Sequence, residues 1–183
     1  MSFMKSGKAR SRWLIIAVVA WFGLVLLGIS YLLEQRLVWF DEKGELLELS
    51  NNEKLEPQLV AELTRLGYSV AGSVFHITSG DCSCNWRSSG HMASVKRKVA
   101  ESEGENRVVD IDQYPTLKRF VPATPAIIMF NKSSKLIYIG PYADGAFCTT
   151  DSSFVEELIP SVSGESAAPK WVNTVAKGCY WKV

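Results

Sequence analysis

Residues 73–91 read SVFHITSGDCSCNWRSSGH, and the interpretation of the chain turns on them. Val74, Phe75 and Ile77, with the β-branched Thr78, form a short apolar run of the kind that makes a buried strand. Ser79-Gly80-Asp81 breaks it. Cys82 and Cys84 follow, one residue apart, where the pattern turns helical. Met92, Val95 and Val99 continue that helix to about Glu103, and Gly104 stops it. Thiols at a helix start face free N–H groups and the positive end of the helix dipole, which favour the thiolate. The thiolate is the nucleophile of thiol–disulfide exchange.

Cys82 is therefore expected to have a lowered pKa and to attack, with Cys84, one step further in, resolving the mixed disulfide. The spacing departs from the usual C-x-x-C, since Asn85 stands three residues after Cys82. Residues two apart reach disulfide range only with local distortion. An inert structural bridge and a pair of metal ligands are the other readings of the same two thiols.

The N-terminal end carries a second strong signal. Lys5, Lys8, Arg10 and Arg12 precede 21 residues, Trp13 to Leu33, without a charge. A helix of that length spans about 31 Å, the thickness of the hydrocarbon core. Trp13 and Tyr31 stand near its two ends, at interface depth. The basic residues before the span, against the mixed Glu34-Gln35-Arg36 after it, place residues 1–12 in the cytoplasm. The apolar run is too long, and Gly28-Ile29-Ser30 too poor a cleavage site, for a cleaved signal peptide. The expectation is a single-pass anchor over 13–33 in a bacterial inner membrane, with the rest facing the periplasm, where cysteines can be oxidised.

A net charge of +1 and no basic stripe outside the N-terminus exclude a nucleic-acid partner. The residues after the anchor suffice for one domain. Residues 37–50 read as a hairpin turning at Lys43-Gly44, or as a continuation of the membrane helix. Leu55, Leu59, Leu63 and Leu66 mark a helix from Asn52 to Leu66. Arg107 to Ile111 reads as a strand and Tyr114 to Phe120 as a short helix. After Thr124-Pro125 come a central strand, Ala126–Phe130, a turn, and its partner, Leu136–Ile139. A last helix is expected over Ser152–Ile159. Residues 161–183 read as a linker and a cysteine-containing tail.

This order of elements, with Cys82-Ser83-Cys84 at a strand-to-helix junction and Thr124-Pro125 before a buried strand 43 residues on, resembles the thioredoxin fold over roughly residues 37–160. The chain is similar to an uncharacterised bacterial family of membrane-anchored thioredoxin-like proteins. The resemblance implies an α/β three-layer sandwich carrying the N-terminal transmembrane helix. It further implies that Pro125 is a cis-proline beside the active sulfurs and that Thr124 offers its backbone to an incoming peptide as an added strand. His76 stands six residues before Cys82, where thioredoxins carry a buried aspartate that relays the resolving cysteine's proton. A histidine can do that work near neutral pH.

Cys148 follows from topology. If the first strand delivers the thiols to one edge of the sheet, the strand starting at Ala126 runs away from that edge and Leu136–Ile139 returns to it. The loop 140–150 then lies at the same edge. Cys148 is a third redox thiol, a metal ligand, or half of a structural bridge to Cys179, and the bridge is preferred because four cysteines pair evenly in an oxidising compartment. His91, two helical turns past Cys84, completes an alternative zinc or copper(I) set of Cys82, Cys84, His91 and Cys148. The functional expectation is thus a membrane-tethered periplasmic thiol–disulfide oxidoreductase using the C-x-C pair on protein thiol or disulfide substrates, with catalytic residues Cys82, Cys84, Pro125, Thr124 and His76 and no cofactor. The alternatives are a metal-delivery module on the same fold and a non-catalytic thioredoxin-like interaction domain.

Overall fold

The computed structural model describes residues 6–35, 37–80, 82, 84–164 and 169–183, the first five of these by backbone only. The chain divides into two units, Met1–Arg36 and Leu37–Val183. Among the described residues the first holds one helix, α1 (Ser6–Glu34). Its segment Ser11–Glu34, with mean hydropathy 2.5 and nothing buried, is long and apolar enough to cross a membrane. Lys5 and the linking Arg36 lie outside the described residues.

The second unit opens with β1 (Val38–Trp39) and α2 (Glu45–Asn51). Neither the expected hairpin nor a continued membrane helix forms here. Gly44 adopts φ 72° at the start of α2, and the Asp41 carboxylate accepts the Leu47 N–H at 2.9 Å, so the Lys-Gly pair begins a helix instead of tipping a hairpin. Next comes α3 (Leu55–Arg65), which buries Leu55, Leu59 and Leu63 at the predicted spacing. Then follow β2 (Ser73–Thr78), α4 (Cys84–Glu101) and β3 (Glu105–Asp110).

Two tight 3-10 turns, Ile111–Gln113 and Pro115–Leu117, replace the helix expected over 114–120. The chain continues through β4 (Ala123–Thr124), β5 (Ala126–Phe130) and β6 (Leu136–Pro141). The expected last helix is likewise reduced to 3-10 turns at Thr150–Ser152 and Glu156–Ser161, with extended backbone at Ser153 and Pro160 inside the second turn.

The central sheet is mixed, in the order β3-β2-β5-β6 with β7 (Trp171–Val172) outermost. β2 and β3 are parallel, β5 is antiparallel to β2 and to β6, and β7 is parallel to β6. Alternate residues of β5 enter different cores, as strand geometry requires. Ala126, Ile128 and Phe130 join the leucines of α3, whereas Ile127 and Met129 join Met92, Val95 and Val99 of α4. The sheet therefore lies between helices on both faces.

The boundary expected at residue 160 is not where the domain ends. The last thirteen residues supply β7, β8 (Lys177–Gly178), which pairs antiparallel with β1, and β9 (Trp181–Lys182), which pairs antiparallel with β4. Tyr180 is buried in the α3-side core, and Asn173 is also buried. From Trp171 on, the stretch read as a linker and a cysteine-containing tail is built into the unit by strand pairing.

Candidate functional site

The strand pairing assembles the candidate residues at one edge. Ile77 of β2 faces Ala126 of β5, and Ala126 faces Pro141 of β6. The end of β2, the start of β5 and the end of β6 are thus neighbours. The Thr124–Pro125 peptide bond just before β5 is cis.

Cys82 lies between β2 and α4, buried, with a free thiol whose Sγ is 3.7 Å from the Thr124 carbonyl oxygen as its hydrogen-bond acceptor. Its N–H donates to the Ser79 carbonyl at 3.2 Å, and its own carbonyl accepts from the Asn85 N–H at 3.1 Å, so it enters the first turn of α4 by backbone bonds. Asp112, which the sequence did not single out, braces this turn. Its carboxylate accepts from Ser79 Oγ at 2.7 Å and Gly80 N at 3.1 Å. The Ser79 hydroxyl, above all, holds the Asp112 pKa below its ordinary value.

Cys84 begins α4 and is bridged to Cys179, with Cα atoms 5.9 Å apart. The expected Cys148–Cys179 bridge is corrected accordingly: Cys148 is a free, buried thiol. The tail explains the choice. β8 aligns beside Gly145, and β9 beside Thr124, and this carries Cys179 to the start of α4. The Cys179 N–H donates to the Gly145 carbonyl at 3.1 Å and Tyr180 Oη to the Ala143 carbonyl at 2.6 Å.

Cys148 sits at the same edge, in the left-handed region at φ 52°. Burial pushes its thiol up to about 11, with smaller contributions from Asp144 and from Cys82, so the two free thiols are close enough for the charge on one to bear on the other.

His76 is completely buried, and both its ring nitrogens are engaged. Asn106 Nδ2 donates to the Lys96 carbonyl at 2.9 Å, which leaves Asn106 Oδ1 to accept from His76 Nε2 at 2.7 Å. Nε2 therefore carries the proton, and Nδ1 accepts from the Tyr142 hydroxyl. Burial pushes the His76 pKa down to about 4. Its bonds run to Tyr142 and Asn106 and not to Cys84, so the direct contact expected of it is absent. Tyr142 is itself fully buried, and its pKa is raised by burial and by Cys148. Sequence signals for Asn106 and Tyr142 were absent, because each is identified only by what it touches.

The alternative metal set does not come together. Cys84 is held by Cys179, and His91, buried, turns Nε2 to Ser153 Oγ at 3.0 Å. Among the described residues no group of three or more His, Cys, Asp or Glu side chains is placed to hold a metal ion. Two large rings do stand exposed beside the thiols: Trp86, two residues beyond Cys84, and Phe147, next to Cys148. Arg87 ties these segments by donating to the Ala146 carbonyl at 3.2 Å.

The second unit defines an α/β domain with buried thiols and one disulfide at a single sheet edge. The chain belongs to the family described as Domain of unknown function (DUF6436), whose family model matches residues 51–183, through β9. No curated protein and no solved structure matches it.

Proposed function

We propose that this chain is a thiol–disulfide oxidoreductase of thioredoxin-like architecture, tethered by α1 to a bacterial inner membrane with its domain in the periplasm. One observation carries the reading: a free thiol, Cys82, hydrogen-bonded to the carbonyl of the residue before cis-Pro125, lies two residues from a disulfide sulfur at the first turn of α4. The mixed sheet with helices on both faces supports the thioredoxin-like resemblance, and the bridge suits an oxidising compartment. Trp86 and Phe147 offer apolar surface to a protein substrate.

Cys82, as thiolate, attacks one sulfur of a substrate disulfide, and the other substrate sulfur leaves as a thiolate. Cys84, once an external dithiol has reduced its bridge to Cys179 and left as its own disulfide, attacks Cys82 Sγ. The Cys82–Cys84 disulfide forms and the substrate departs as a dithiol. The substitution Cys84→Ser is expected to accumulate substrate proteins as mixed disulfides on Cys82, and Cys82→Ser to accumulate none. Non-reducing electrophoresis followed by mass spectrometry reads both. If Cys84→Ser captures nothing, the domain is a static, disulfide-stabilised interaction module.

A further inference from the structure

The five residues 179–183 close the candidate site twice over. Cys179 occupies Cys84, so α4 begins without a free resolving thiol. Trp181 and Lys182 occupy the backbone edge of Ala123–Thr124, and among the described residues β9 is the only strand paired with β4. The Val183 N–H adds a bond to the Pro122 carbonyl at 3.3 Å.

Apart from the bridge, the cover is anchored at Tyr180, buried in the α3-side core with its hydroxyl on the Ala143 carbonyl, and by the Lys182–Glu42 ion pair, whereas the strand pairing over β4 is itself slight. β9 is two residues long, both of its side chains are exposed, and a two-stranded ribbon of that length is marginal by itself. When β9 leaves, β4 loses its backbone partners on that strand and becomes the kind of edge that an extended peptide fills.

We propose that residues 179–183 are a redox-latched cover, locked onto β4 by the Cys84–Cys179 bridge, and that reduction of this bridge opens the β4 edge and Cys84 together to an extended, cysteine-bearing polypeptide. The inference rests on the thiol–disulfide reading of this site. In the opening step an external dithiol gives two electrons and two protons to the bridge and leaves as its own disulfide. Cys84 and Cys179 become thiols, and β9 is then held over β4 by its short pairing, the Lys182–Glu42 ion pair and the neighbouring Tyr180, without a covalent tie.

Hydrogen exchange on the full chain in detergent micelles, with and without dithiothreitol, tests the latch. Protection at residues 123–124 and 180–183 is expected to fall at least tenfold on reduction, while β2 and β5 stay protected. A second arm uses the synthetic peptide of residues 177–183, its cysteine activated as a mixed disulfide with thionitrobenzoate. On Cys179→Ser, the Cys84 thiolate attacks the peptide's cysteine sulfur, thionitrobenzoate leaves, and protection at 123–124 returns; the oxidised wild type gives no adduct at Cys84.

Unchanged protection of β4 on reduction overturns the proposal, as does an adduct that leaves 123–124 unprotected. Should Cys179→Ser not fold, exchange on the reduced wild type decides alone. Because exchange is read without turnover, a failed latch leaves capture on Cys82 standing. Failed capture with an opening latch removes the oxidoreductase reading and keeps the cover.

Discussion

His76 shows how one buried side chain sets a pH dependence. Its pKa is about 4 in the fold against an ordinary value of 6.5, because burial penalises the imidazolium. As pH falls from 7, the unfolded chain therefore binds a proton at this histidine before the folded chain does. The stabilisation is complete above pH 6.5 and is lost as pH falls from there to about 4, a total of about 3 kcal/mol. His91, also lowered mainly by burial, acts in the same direction. Glu62, held near 2 chiefly by its bond to Arg65, loses its contribution below pH 4.5, so a series stopped at pH 4.5 reads mainly the histidines. Thermal melting between pH 7.5 and 4.5 is expected to fall more steeply in the wild type than in His76→Gln. Parallel slopes would mean that His76 titrates normally in the folded chain.

At the scale of elements, what could be read from the sequence was whatever repeats at the period of its own backbone. α3 and α4 showed their leucine, methionine and valine spacings, and β5 is five consecutive buried residues. Segments whose structure depends on a distant partner were not readable. Lys43-Gly44 reads equally as a hairpin tip, and only Asp41 reaching Leu47 makes it a helix start. β7, β8 and β9 are two residues each, too short for any periodicity, and their partners lie in β6, β1 and β4. Cysteine counting gave parity without connectivity, which is why Cys179 was assigned to Cys148 when the path of the tail brings it to Cys84. The site was legible to the same extent: Cys82, Cys84 and Pro125 announced themselves by motif, whereas Asp112, Asn106 and Tyr142 did not. For α1, composition gives length, and the direction expected of it rests on the basic residues before its apolar span. An export-dependent phosphatase fused after residue 40 is expected to be active in cells. Activity confined to a reporter that works only in the cytoplasm would reverse the orientation, and a mature chain starting near Tyr31 would make α1 a cleaved signal without changing the compartment.

For the molecule as a whole, the Cys84–Cys179 bridge is the longest covalent constraint among the described residues, joining positions 95 apart and so closing most of the domain into a loop. In the chain-entropy account, a loop near 100 residues long removes about 4 to 5 kcal/mol worth of disorder from the unfolded state. That is a large share of the roughly 5–15 kcal/mol that stabilises an ordinary domain. The bridge closes the loop between the start of α4 and a segment whose strands reach β6, β1 and β4, so its loss acts on the unfolded ensemble more than on the sheet, whose central pairings involve neither cysteine. Urea unfolding of the full chain in micelles, followed by near-ultraviolet signals from its tryptophans, is expected to shift to a lower midpoint on reduction. With a slope of about 2 kcal/mol per molar, that shift is about 2 M. A shift below about 0.5 M would show that the strands of the C-terminal segment hold the reduced chain by themselves, and that the bridge acts at the edge of β4 without underwriting the fold.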